Sequence, residues 1–383
     1  MKNETLLPLP RPAVKRSAPM PCFHGGAFFE AVGEDFDTLG RKEDIINADV
    51  LDAWFPPAPG VLEALHEHLP WLARTSPPTH AAGLVRAISR ARGVPGDSLL
   101  TGGGSSDLIF LALREWLTPE SRAVLLDPTY GEYLHVLRHV VGCKVDRLTL
   151  NEDDNYAVDL DDLAAKLATA PDLLVLVNPN SPTGRHIPRA RLESVLQQAP
   201  RRTLVWVDET YVDYAGPGES LERFATMSPN VVVCKSMSKV YALSGLRCAY
   251  LCGSPQLLAL LRGLTPPWAV GLPAQVAAVR ALAEPEYYAG RYAQTHRLRE
   301  ELAQSLEREL GWSVTRGVAN FVLARLPEDG PGGEELLARC REQGLFLRSL
   351  RTFTERASDR LIRVAVKDAP TQERMIEILR GVP

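Results

Sequence analysis

Lys239 follows Ser236 and Ser238 closely and precedes Gly245-Leu246-Arg247. A lysine amine condenses with an aldehyde to form an imine. The hydroxyls of Ser236 and Ser238 can donate to phosphate oxygens, and the Arg247 guanidinium can clamp them. The segment therefore suits an imine beside a phosphate. Lys235 is a rival for the imine but lies farther from Gly245-Leu246-Arg247. Asp208 closes the apolar run Thr203–Val207. A carboxylate at the end of a buried strand needs a partner, and a protonated pyridine nitrogen is one. Tyr211 follows within reach of a phenolic oxygen on such a ring. Asn178-Pro179-Asn180-Ser181-Pro182-Thr183-Gly184 reads as a rigid turn that presents Asn180 as a fixed donor. In Thr101-Gly102-Gly103-Gly104-Ser105-Ser106-Asp107, a glycine turn runs into a helical pattern, so backbone N–H groups around Gly104, Ser105 and Ser106 can approach an anion. Tyr130, in Asp127-Pro128-Thr129-Tyr130, can lie flat against a ring. An imine lysine, an acid for a ring nitrogen, anion donors and a flat partner are what pyridoxal 5'-phosphate (PLP) requires of a protein.

The elements that must position these residues alternate. Ala123–Asp127, Leu173–Asn178, Thr203–Asp208, Val231–Cys234 and Cys248–Cys252 read as buried strands. Between them, Ser106–Trp116, Tyr130–Val141, Leu160–Ala168 and Arg189–Gln198 have helical period. This alternation predicts an α/β fold with a parallel sheet covered on both faces. In such a sheet a site belongs just beyond the carboxyl ends of the strands, where these residues fall. From Leu272 the pattern becomes α+β: a long helical stretch over 273–309, then strands near Ser313–Thr315, Asn320–Ala324, Leu345–Arg348 and Leu361–Val366, with helices at Gly333–Gln343 and after Thr371. The expected organisation is an N-terminal arm over 1–45, a large domain over 46–271 and a small domain over 272–383.

A chain of 383 residues exceeds what one hydrophobic core usually serves. Its net charge of −4 and lack of dense basic runs exclude a nucleic-acid surface. No apolar stretch has membrane-span length, and the proline-rich start does not read as a signal peptide. The six scattered cysteines predict buried free thiols in a reducing compartment, so the expected location is cytoplasmic. Cys248 and Cys252 have no second Cys or His pair, and no metal is expected.

In order, Gly-Ser-Ser-Asp, Pro-Thr-Tyr-Gly-Glu-Tyr, Asn-Pro-Asn-Ser-Pro-Thr-Gly, Asp-Glu-Thr-Tyr and Ser-Met-Ser-Lys…Gly-Leu-Arg resemble the fold-type-I PLP enzymes, specifically the class I/II aminotransferases. The nearest branch resembles histidinol-phosphate aminotransferase and threonine-phosphate decarboxylase. The resemblance implies a mostly parallel seven-stranded sheet between helices, a smaller α+β domain and a homodimer acting on small amino and oxo-acid substrates. It implies Lys239 as Schiff-base lysine and proton carrier, Asp208 on the pyridine nitrogen, and Asn180 and Tyr211 on the phenolic oxygen. Tyr130 would stack on the ring, with Ser105, Ser106, Ser236, Ser238 and Arg247 on the phosphate. It further implies Arg363 and Arg348 as substrate clamps, with Asn320-Phe321 near the same pocket.

The chain departs from that branch in places. Asn47-Ala48-Asp49-Val50-Leu51-Asp52-Ala53-Trp54 replaces the usual Asn-x-Asn-Pro, placing Asp49 in a substrate segment. Thr75-Ser76-Pro77-Pro78-Thr79-His80 replaces an expected Tyr-Pro in the segment that reaches the partner's site. His24-Gly25-Gly26 matches the start of the threonine-phosphate decarboxylases and makes His24 a substrate candidate. Transamination is the first expected activity, decarboxylation the second, and a lyase or C–C bond-forming reaction the third.

Overall fold

The computed structural model describes residues 25–354 and 358–382. Its strands are β1 (Ile46–Asn47), β2 (Leu99–Gly102), β3 (Arg122–Asp127), β4 (Lys144–Thr149), β5 (Leu173–Val177), β6 (Leu204–Asp208), β7 (Val231–Ser236), β8 (Ala249–Cys252), β9 (Ser313–Thr315), β10 (Phe321–Arg325), β11 (Leu345–Phe346), β12 (Arg348–Ser349) and β13 (Leu361–Ala365). Seven form one sheet in the order β2-β8-β7-β6-β5-β3-β4. Strands β4, β3, β5, β6 and β7 run parallel, and β8 is antiparallel to both its neighbours. A second sheet has four strands in the order β12-β13-β10-β9. Ile46–Asn47 pairs in parallel with Leu345–Phe346.

Alternation along each strand explains why both faces are covered. Leu125, Val175, Trp206 and Val232 face one way and pack with Leu108, Ile109 and Leu113 of helix Ser105–Trp116. Val124, Leu174, Val205 and Val231 face the other way and pack with Leu84, Leu163 and Leu192 from helices Ala82–Arg92, Leu160–Ala168 and Arg189–Leu196. A period of two thus feeds two cores from one sheet.

The structure differs from the sequence pattern at three places. Lys144–Thr149 is an edge strand with Lys144, Asp146 and Thr149 outward, so it lacks an unbroken apolar run. The stretch over 273–309 is two helices, Leu272–Leu282 and Pro285–Leu310. Pro285 has no N–H to continue the first helix and is well suited to begin the second. Gly131–His135 passes into a wider π turn over Val136–Val141 that ends at Gly142, where φ is 95°.

Lys235 and Ser236 are neighbours on β7 and therefore face opposite sides of the sheet. Lys235 is only 2% exposed and is ringed by Glu209, Asp213 and Glu222 at 3.6, 3.3 and 3.9 Å. Arg92 joins the cluster through Asp213 at 3.0 Å. Three carboxylates share two cations, and burial pushes the Glu209 carboxyl up to about 7 despite Lys235, with Glu222 adding to the rise. A carboxyl raised in the folded state stabilises most below its unfolded pKa, and the contribution fades as pH rises through the folded value. Glu209→Gln should therefore gain stability relative to the parent by roughly 1–3 kcal/mol between about pH 5 and pH 8, read from denaturant midpoints.

Candidate cofactor and substrate site

Loops after β2, β3, β5, β6 and β7 open onto one cavity of about 530 Å³. Ser105, Ser106, Tyr130, Asp208, Tyr211, Ser236, Ser238, Lys239, Arg247 and Arg363 all line it. This is the carboxyl edge of the parallel strands, where successive turns converge.

Asp208 is 3% exposed. Its carboxylate accepts hydrogen bonds from Tyr133 Oη at 2.7 Å, Thr210 N at 2.9 Å and Thr210 Oγ1 at 2.6 Å. Burial raises its pKa, and these three donors oppose the rise. Among the described residues no cation forms an ion pair with it. The Tyr211 hydroxyl has no hydrogen-bond partner among the described residues, and its ring packs edge-on against Phe321 at 5.4 Å. Tyr130 donates to Glu132 at 2.7 Å and meets Tyr133 edge-on at 5.9 Å.

The anion end is built from backbone and short side chains. Gly104 sits at φ 105°, and a Cβ there would collide with the Arg247 guanidinium. Glycine alone permits both that backbone and that approach. The helix Ser105–Trp116 begins here, and its first N–H groups have no intrahelical acceptor. Ser106 Oγ donates to Glu132 at 3.0 Å, so toward the cavity Ser106 offers chiefly its N–H. Ser236 Oγ accepts from Ser238 N at 3.3 Å. Arg247, itself at φ 54°, donates to Ser244 O at 3.0 Å.

Lys239 Nζ donates to Asp52 Oδ1 at 2.8 Å and approaches Ser244 Oγ at 3.5 Å. Burial lowers its pKa, Asp52 opposes the fall, and Arg363 and Arg247 reinforce it. Arg363, 6% exposed, donates through Nη1 to Ser181 Oγ at 3.1 Å and through Nη2 to the Asp49 carbonyl at 2.7 Å. Its Nε has no partner among the described residues, and burial pushes its pKa down to about 10.

Several expected residues lie elsewhere. Asn180 does not line the cavity: its amide donates to Pro128 O and Thr183 Oγ1, and its carbonyl accepts from Thr129 Oγ1. It shapes the turn, and Ser181 faces the cavity instead, a neighbour in the same motif. Asp49 and Arg348 pair with each other at 3.3 Å, both buried and neither lining the cavity. Asp49 also accepts from Gly26 N at 3.0 Å, which pins the arm to this pair. Asn320 donates to Leu51 O at 3.0 Å. Trp54 donates to Thr295 at 2.8 Å as a core contact, and His80 hydrogen-bonds through its N–H to Pro267 O at 2.8 Å. His24 lies outside the described residues. Sequence reasoning also missed Asp52, Thr210, Phe28 and Phe29, which line the cavity. The first was legible only as a departure from a motif, and the phenylalanines carry no pattern beyond their adjacency.

Among the described residues, a buried carboxylate without a paired cation, a phenol without a hydrogen-bond partner and a glycine cradle beside an arginine suit the ring nitrogen, phenolic oxygen and phosphate of PLP. The sequence profile described as "Aminotransferase class I and II" matches residues 55–381. Histidinol-phosphate aminotransferase 1 of Cupriavidus pinatubonensis is 31% identical over 72% of this chain and 73% of that protein. The aromatic amino acid aminotransferase of Thermobifida fusca is 32% identical over 77% of this chain and 80% of that protein. Histidinol-phosphate aminotransferase from Sinorhizobium meliloti, solved in complex with pyridoxal-5'-phosphate, superposes with a TM-score of 0.82 at 22% identity, covering 97% of this chain and 98% of that one. With a site built for this cofactor and a profile match spanning most of its length, the chain belongs to the class I and II aminotransferases.

Proposed function

We propose that this chain moves an amino group between an amino acid and a 2-oxo acid, with PLP held on Lys239. One observation carries the reading: Asp208, buried and with no ion pair among the described residues, faces the same cavity as Lys239. Bound there, the cofactor supplies an aldehyde for the substrate amine and a ring that withdraws electrons from the bonds at Cα.

The chain's own residues do the rest. Asp208 would accept from the ring nitrogen and keep it protonated, and Tyr211 would donate to the phenolic oxygen. Ser236, Ser238, Arg247 and the first N–H groups of helix Ser105–Trp116 would hold the phosphate, and Tyr130 would cover the ring. Lys239 Nζ, with its proton affinity lowered by burial, takes a proton from Cα and returns it. Arg363, which lines the cavity, holds the substrate carboxylate.

The substrate class follows from what else lines the cavity. Phe28, Phe29, Val50 and Leu51 form an apolar wall. Arg348, the second expected clamp, spends charge on Asp49. One anionic head group and an apolar or aromatic side chain fit best. We further read the chain as a cytoplasmic homodimer with the Thr75–His80 segment reaching the neighbour's site. The five described cysteines, all buried free thiols, support a reducing compartment.

The loaded protein should show a visible absorbance band that borohydride bleaches onto Lys239. Lys239→Ala should lose both the trap and roughly 10²–10⁴-fold in turnover. Carbon dioxide release with no pyridoxamine form would replace transamination by decarboxylation. Arg363→Gln should keep the spectrum and raise KM for amino acids about 10–100-fold, the loss of a charged hydrogen bond. In a substrate panel, phenylalanine or tyrosine should convert the cofactor faster than aspartate or histidinol phosphate. The reverse order would move the substrate class.

A further inference from the structure

Asp52 enters the cavity from the segment between β1 and helix Pro59–Arg74. Its Oδ1 is 2.8 Å from Lys239 Nζ, with side-chain exposures of 37% and 18% for the two residues. Asp208 is the cavity's other described carboxylate, and its oxygens are committed to Tyr133 and Thr210. Asp52 is therefore the carboxylate that touches the lysine.

The charges around this pair come from several elements. Arg247 follows β8's preceding turn, Arg363 projects from β13, and Lys367 lies just beyond β13. Tyr211, from the loop after β6, also feels Asp52. Arg247, Arg363 and Lys367 are all cationic, so Asp52 offsets repulsion that would otherwise strip Lys239 of its proton early. Burial pushes the Lys367 pKa down to about 8, with Asp52 opposing the fall.

We propose that Asp52 is a positioning residue for Lys239: it holds the amine inside the cavity and sets the pH at which that nitrogen releases its proton. Only an N–H bond breaks in this step, the proton passing from Nζ to water or substrate while the electron pair stays on nitrogen. A protonated amine is an acid and a neutral one a base, so the charge on Asp52 moves the boundary between these roles. The consequence for catalysis rests on the reading of Lys239 as the imine and proton-carrying lysine; the effect on the free amine does not.

The test uses the full-length protein, stripped of cofactor and labelled by trace acetic anhydride across a pH series, with acetylation of Lys239 read by mass spectrometry. Asp52→Asn should lower the Lys239 midpoint by about one pH unit, roughly tenfold more labelling at a pH below both midpoints. Asp52→Glu should restore the parent midpoint. In protein reloaded with PLP, the pH midpoint of the visible spectrum should fall in Asp52→Asn as well. A folded Asp52→Asn protein, judged by circular dichroism, with the parent's labelling midpoint overturns the proposal. If Asp52→Asn does not fold, Asp52→Ser takes its place with the same two outcomes. Borohydride trapping on a residue other than Lys239 would instead defeat the functional reading and leave the labelling result standing.

Discussion

A carboxylate buried at the end of β6 with no cation paired to it among the described residues is expensive to ionise, by several kcal/mol in a protein interior. The molecule spends three donors on Asp208: Tyr133 Oη and the two groups of Thr210. Tyr133 is in turn held by Trp206 Nε1 at 2.8 Å, so the support reaches into the core on one face of the sheet. Neutral donors lower the cost but do not cancel a charge. On the proposed reading, a protonated ring nitrogen would remove the remaining deficit, which would couple cofactor binding to relief of Asp208. The parallel strands exist, from the site's viewpoint, to keep this carboxylate dry and aimed at one spot.

The strand period sorts the chemistry as firmly as it sorts the core. Lys235 and Lys239 lie four residues apart, yet they belong to different electrostatic worlds. Lys235 still obeys the alternation of β7 and ends up in a closed cluster with Glu209, Asp213 and Glu222. Lys239 comes after the strand has ended at Ser236, where the backbone is free to turn back toward the cavity. The first lysine is compensated on several sides and stabilises the fold. The second has one carboxylate and two neighbouring arginines, which keeps its amine available for reaction.

This division also explains what could be read from the sequence. Strands such as Leu173–Val177 and Leu204–Asp208 are apolar on both faces, so their composition announces them, and the functional side chains follow at their ends. That Lys239, Asp208, Tyr211 and Arg247 share one cavity was legible because each sits at a fixed offset from such a strand or from a glycine. A rigid turn does not reveal which of two adjacent polar residues lines the cavity; that is decided by hydrogen bonds from a different loop and from within the turn, and those of Asn180 run to Pro128 and Thr183. Arg348 depends likewise on distant segments. Its partner Asp49 is distant in sequence, and only the β12–β13 and β1–β11 pairings bring the two segments together. Asp52 lies in a segment with no regular period, so nothing local signals its contact with Lys239.

Arg363 links these parts into one device. It projects from β13 of the four-stranded sheet, yet its donors end on Ser181, in the loop after β5, and on the Asp49 backbone, beside β1. Its guanidinium also lies over the rings of Phe321 and Phe353, at 5.7 and 5.1 Å, which limits its rotation. A cation fixed by three separate segments cannot shift without disturbing all of them. An anion drawn to Arg363 must therefore come to a preset position relative to Asp208 and Lys239. A substrate carboxylate held there has its amine directed by geometry, and orientation of this kind is a large share of what a protein contributes to chemistry supplied by a cofactor.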